Sequence, residues 1–187
     1  VVVDTTNTNL GGATVSGVEH LVLANNVDAT LSLAQNALID SAAGTNTVTL
    51  ASAGAAQGEA LVESYRLANG VNDFTLGAAA QNVTGGTGND TVHSAALTSL
   101  TGTLALGGGS DTLTIDSTAT DISALTLTGV ESITLGNDVS ASMTLAENAI
   151  KHGLEPKVEG GRVDVRIARE SGVANGAGGQ MRLTVRD

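Results

Sequence analysis

Gly17-Val-Glu-His-Leu-Val-Leu-Ala-Asn-Asn-Val-Asp-Ala-Thr-Leu-Ser-Leu-Ala-Gln-Asn-Ala-Leu38 aligns without a gap to Gly129-Val-Glu-Ser-Ile-Thr-Leu-Gly-Asn-Asp-Val-Ser-Ala-Ser-Met-Thr-Leu-Ala-Glu-Asn-Ala-Ile150, and 11 of the 22 positions are identical. Internal repetition is therefore the first property to explain. Inside each copy, large aliphatic residues alternate with Thr, Ser or Ala at the period of a β-strand, and the Asn-Asn or Asn-Asp pair between the runs supplies a turn.

Shorter echoes fill the interval: Thr47-Val-Thr-Leu50, Phe74-Thr-Leu76, Leu104-Ala-Leu106, Thr112-Leu-Thr-Ile115 and Leu125-Thr-Leu127. Their spacing suits coils of about twenty residues, and no window before about residue 143 reads as an amphipathic helix. The expected fold class is all-β, a parallel β-solenoid of β-roll or β-helix type, with a short α+β segment at the C-terminus. A β-sandwich is the alternative architecture.

Composition agrees. In 187 residues there are 24 Gly, one Pro, one Phe, one Tyr and no Trp, so the core must be built from Val, Leu, Ile and Ala. Small aliphatic side chains suit a narrow interior of stacked rungs better than an ordinary aromatic-anchored core. The absence of Cys excludes a disulfide framework and thiolate metal sites. A net charge of -11 excludes nucleic acid as a partner and offers nothing to an anionic membrane, since both reward Lys and Arg. There is no stretch long and apolar enough for membrane insertion, and no signal peptide is visible at Val1.

Charge divides the chain. Residues 1 to 150 carry 14 acids and one base, whereas residues 151 to 187 carry five acids and seven bases. Two segments are expected: an acidic repeat domain over 1–145 and a different segment over 146–187.

Gly85-Gly86-Thr87-Gly88-Asn89-Asp90-Thr91-Val92-His93 satisfies the pattern G-G-x-G-x-D-x-U-x at every defined position. It resembles the nonapeptide of the repeats-in-toxin proteins. A degraded copy follows at Leu106-Gly107-Gly108-Gly109-Ser110-Asp111-Thr112-Leu113-Thr114, and a weaker echo precedes it at Ala68 to Asp73. The resemblance implies calcium held by Gly85, Gly86, Gly88, Asp90, Gly108 and Asp111, with turn carbonyls and carboxylates as hard oxygen donors. The competing reading is that these are ordinary Gly-Asn-Asp corners of a solenoid. The Gly-Val-Glu units at 17–19 and 129–131, each followed by a Leu-rich strand, resemble tandem segments of bacterial surface-layer proteins and giant secreted adhesins. That implies a secreted, cell-surface, structural protein whose partners are neighbouring repeats, further copies of itself or cell-surface glycans.

Catalysis is not expected. Asp111, Asp116, Asp121, Glu131 and Asp138 crowd one third of the chain, but no aromatic platforms accompany them, and a solvated acidic face accounts for them better than glycosidase chemistry. His20 and His93 read as isolated surface residues.

Leu145-Ala-Glu-Asn-Ala-Ile-Lys-His-Gly153, with Gly160-Gly-Arg162 downstream, resembles the N box of sensor histidine kinases. The resemblance implies magnesium-ATP contacts by Asn148, Lys151 and His152. The adenine-binding glycines, the lid and the phosphoacceptor region of that family are missing, which leaves no complete nucleotide site. We read the chain as two unlike sequences meeting between about 143 and 150, where the solenoid's own Leu33-Ala-Gln-Asn-Ala-Leu38 and the N box share a string. A third reading makes the solenoid the noncatalytic secretion module of an enzyme.

Overall fold

Alternation of an aliphatic with a hydroxyl residue gives each short run one face for the core and one for water, and parallel stacking then puts like beside like. In the computed structural model, which describes residues 1–144, Glu147, Ile150 and the strand residues 158–159, 162–163 and 184–185, that is the arrangement adopted. The strands, in chain order, are β1 (Val2–Val3), β2 (Thr8–Asn9), β3 (Leu21–Leu23), β4 (Asp28–Leu31), β5 (Ile39–Ala42) and β6 (Thr47–Leu50). They continue with β7 (Ala55–Gln57), β8 (Ser64–Arg66), β9 (Asp73–Thr75), β10 (Asn82–Thr84), β11 (Thr91–His93) and β12 (Thr103–Ala105). The last turns hold β13 (Thr112–Ile115), β14 (Thr120–Asp121), β15 (Thr126–Thr128), β16 (Ser132–Leu135) and β17 (Ala141–Met143).

The chain forms a parallel β-solenoid. Its longest wall is a seven-stranded sheet in the order β2-β4-β6-β8-β10-β12-β15, and a second wall stacks β7-β9-β11-β13-β16. The three-stranded sheet β1-β3-β5 lies in the first turns, and β14 pairs with β17 in the last. Every pairing among β1 to β17 is parallel, which excludes the sandwich. Beyond them, residues 158–159 and 162–163 pair antiparallel, and 184–185 lies beside β17.

Inward-facing residues form columns. Along the long wall Ala29, Val48, Tyr65, Val83, Leu104 and Leu127 are successive partners; across the interior the column is Ala56, Phe74, Val92, Leu113 and Ile133. Most of these side chains are fully buried, each contributing about 1.5–3 kcal/mol of hydrophobic stabilisation. The only two described aromatics, Tyr65 and Phe74, face each other across the interior from the two columns with ring centroids 4.9 Å apart. The Tyr65 hydroxyl accepts the Glu59 N–H at 2.9 Å and donates to Asn36 Oδ1 at 3.0 Å, so its polar end is satisfied inside the core.

Rungs differ in length, and the middle turns differ mainly on one edge. From the long wall to the second wall the middle turns run Tyr65 to Phe74, Val83 to Val92 and Leu104 to Leu113, nine residues each time, against eight from Val48 to Ala56 and six from Leu127 to Ile133. The return path is Phe74 to Val83, then Val92 to Leu104, then Leu113 to Leu127, so it lengthens from turn to turn. The three nine-residue connections carry the glycine corners; the return path carries loops such as 94–102.

One helical turn, α1 (Leu33–Asn36), interrupts the strands where none was expected. Ser32 and Gln35 build it by a reciprocal capping box: the Gln35 N–H donates to Ser32 Oγ and the Ser32 N–H to Gln35 Oε1. The distant copy repeats this device. Glu147 N–H donates to Thr144 Oγ1 at 3.3 Å and Thr144 N–H to Glu147 Oε2 at 2.5 Å, so the buried Glu147 occupies the place of Gln35.

Candidate functional site

The glycine corners lie between the two walls, and their glycines are set by stacking. A Cβ on Gly88 would stand 2.0 Å from the Gly70 carbonyl oxygen, one on Gly109 2.2 Å from that of Gly88, and one on Gly85 2.1 Å from that of Leu106. Backbone meets backbone from rung to rung, and only glycine permits it. Gly86 is crowded by Asn69 Oδ1 at 2.7 Å, whereas a Cβ on Gly108 would meet nothing within 4 Å. The corner reading thus accounts for Gly85, Gly86 and Gly88 without a metal, and leaves Gly108 unexplained by sterics.

The last residue of each corner points inward and joins a ladder. Glu131 Oε2 accepts the Asp111 N–H at 2.7 Å, Asp111 Oδ1 accepts the Asp90 N–H at 2.7 Å, and Asp90 Oδ1 accepts the Asn72 N–H at 3.1 Å. These backbone amides have no strand partner at the corner, and a carboxylate acceptor makes a charge-assisted bond. Asn72 and Asp90 are 1% exposed and Asp111 0%, while Glu131 is exposed. The weaker echo at Ala68 to Asp73 is placed one residue away from its sequence alignment: Asn72, not Asp73, stands level with Asp90, and Asp73 faces out on β9.

A second ladder runs on another edge with an amide in the same role. Asn46 Oδ1 accepts the Val27 N–H at 2.7 Å, and Glu63 Oε2 accepts the Asn46 N–H at 2.8 Å.

Oxygens in the corner ladder are unequally used. Asp90 Oδ1 also receives Asn72 Nδ2 at 2.7 Å, and its Oδ2 receives the Gly86 N–H at 3.4 Å. Asp111 Oδ2 is buried with no hydrogen-bond partner, as is Asn72 Oδ1. Burial raises the Asp111 pKa; the Asp90 N–H opposes the rise, and the carboxylates of Asp90 and Glu131 add to it. An orphaned, buried carboxylate oxygen at Asp111 is a feature that a hard cation such as calcium would fit. Among the described residues, no three His, Asp or Glu side chains converge as a metal cluster.

One clasp was missed by the sequence reading. His93, taken as isolated, stands between two carboxylates on the outer face of the second wall: Nε2 lies 3.3 Å from Asp73 Oδ1, and Nδ1 lies 3.2 Å from Asp116 Oδ1. Asp116 is itself held by the Ala95 N–H. These partners are about twenty residues away in sequence, so their meeting is visible only once the rung length is known. His20 also has a partner, Asp40, at 3.4 Å on the surface.

Asn148, Lys151 and His152 lie outside the described residues. No helix among the described residues is long and apolar enough to cross a membrane. Compared with known proteins, the chain matches no family model, no curated protein and no solved structure, so the repeats-in-toxin, surface-layer and N-box resemblances rest on their motifs alone.

Proposed function

We propose that residues 1–145 serve as a structural or adhesive segment of a secreted, calcium-associated bacterial surface protein, of the kind that builds surface layers and giant adhesins. The observation that carries this reading is the pair of continuous parallel walls, in which each rung hydrogen-bonds only to its neighbours and the chain extends by repetition. Such a column works as a spacer or scaffold without chemistry of its own. Its partners are neighbouring repeats or further copies, and its outer rows of Thr47, Thr49, Thr126 and Thr128 offer hydroxyls to cell-surface glycans. The orphaned Asp111 oxygen supports calcium as the ordering ion. The magnesium-ATP alternative rests on Asn148, Lys151 and His152, and no observation favours it.

Two measurements test the proposal. Antibody against residues 1–145 is expected to label intact cells that make the protein; label confined to permeabilised cells defeats the surface assignment. Millimolar calcium is expected to raise the melting temperature of the chelator-stripped protein by mass action on the folded state, and an unchanged melt removes calcium from the reading.

A further inference from the structure

We propose that Asp111, rather than the motif-perfect Asp90, is the cation-binding carboxylate of the glycine corners, and that Glu131 from the next rung completes its site. This rests on the reading of the corners as calcium-associated and reassigns which residues do the binding.

The two ladders supply the argument as a comparison within one molecule. The structural task is to accept a backbone N–H from the rung below, and Asn46 performs it fully buried with an amide. Asn72, at the end of the corner ladder, accepts no such N–H, and its Oδ1 is likewise without a partner, but it carries no charge to be balanced. A carboxylate is therefore not needed for stacking, and burying one costs more than burying an amide. At Asp90 the extra oxygen is occupied by the Gly86 N–H, besides the two Asn72 donors on the other. At Asp111 the extra oxygen has nothing. The charges that act on it are the carboxylates of Asp90 and Glu131, one rung to either side, and both repel. An orphaned carboxylate oxygen flanked by two repelling carboxylates calls for a positive charge beside it.

Glu131 lies outside the nonapeptide pattern and is exposed, with Oε2 held at 2.7 Å by the Asp111 N–H. It is the solvent-facing neighbour of the buried Asp111 on this ladder. The donor set is all oxygen, which selects a hard divalent ion of the calcium class over soft or imidazole-seeking metals.

Isothermal titration of calcium chloride into the chelator-stripped full chain distinguishes the alternatives. D111N is expected to abolish the binding heat, E131Q to weaken affinity by roughly tenfold or more, and D90N to leave it within a few-fold. In chelator, D111N is expected to keep its strand signal and melting temperature, as Asn46 implies. Calcium binding by D111N equal to wild type overturns the assignment, as does loss of binding in D90N alone. Should D111N fail to fold, E131Q decides, because its side chain is exposed; unchanged affinity there overturns the two-rung site. Absence of binding by the wild type defeats the calcium reading itself, a result separate from a wild type that binds through other residues.

Discussion

Asp111 Oδ1 accepts the backbone N–H of Asp90 at 2.7 Å, so a side chain of one rung closes the hydrogen bonding of the rung before it. The same relationship links Asp90 to Asn72, and there the acceptor serves two donors, the Asn72 N–H and its Nδ2. Removing a ladder carboxylate therefore strands a buried donor as well as losing a contact.

D90A leaves the Asn72 N–H without its acceptor, while Asn72 Nδ2 keeps the Ala68 and Gly70 carbonyls, and is expected to cost about 1–3 kcal/mol for the stranded N–H. D90N keeps an acceptor oxygen and is expected to cost less than half of that. Urea denaturation followed by circular dichroism checks the ranking. Equal stabilities of D90A and D90N would show that the ladder bond contributes nothing.

Gly88 and Gly108 belong to adjacent corners yet should respond oppositely to the same change. In G88A the new methyl would stand 2.0 Å from the Gly70 oxygen, a backbone atom that cannot swing aside, and the expected cost is about 1–3 kcal/mol or more. In G108A the methyl meets open space, so stability should change by less than about 1 kcal/mol in either direction. Matching melting temperatures for the two variants would refute the stacking account of the glycines.

Tyr65 gives a spectroscopic handle on the core because it is the single tyrosine of the chain. Burial raises its pKa well beyond the usual phenol range, with the Glu59 N–H opposing and the Glu59 charge adding to the rise. A raised folded-state pKa means the folded chain holds the proton more tightly. The resulting stability is complete below the unfolded value of about 10 and is lost as pH climbs above it. The phenolate absorbance is therefore expected to appear together with loss of strand signal at high pH. Ionisation at about pH 10 with the fold intact would place Tyr65 in contact with solvent.

His93 offers a contrasting case, since its clasp with Asp73 and Asp116 lies at the surface and within reach of salt. H93A is expected to lower stability by no more than about 1 kcal/mol, the usual range for exposed pairs. The difference should shrink at about 1 M salt, where the screening length falls to about 3 Å. A large, salt-independent loss would mean that His93 acts through packing instead.

How far this could be read from the sequence depended on the range of the physics involved. Thr47–Leu50 and Thr112–Ile115 match their expected strands residue for residue, because alternation is a local signal that stacking reinforces. The rung length near twenty was legible from the same echoes. Helix α1 was not, since its four residues carry no helical period and are held by the Ser32–Gln35 box, a sequence hint that was passed over. The inward turn of Asp90 and Asp111 was hidden because the motif specifies residue types and not which oxygens the neighbouring rung will occupy. The partners of His93 were hidden for the same reason, since they are chosen by register. At the far end, the Thr144–Glu147 box puts Glu147 in the place that Gln35 has in the first copy.

The unequal edges of the column bear on how such a protein changes over generations. Between Tyr65 and Phe74, Val83 and Val92, and Leu104 and Leu113 the count never varies, and any inserted residue would lift every rung above it off the carbonyls below. On the opposite edge the path from one wall to the next has already grown from turn to turn. Within these middle turns length is free to differ on the return path, at 94–102 and its neighbours, while the stacked glycine corners hold the spacing of the rungs.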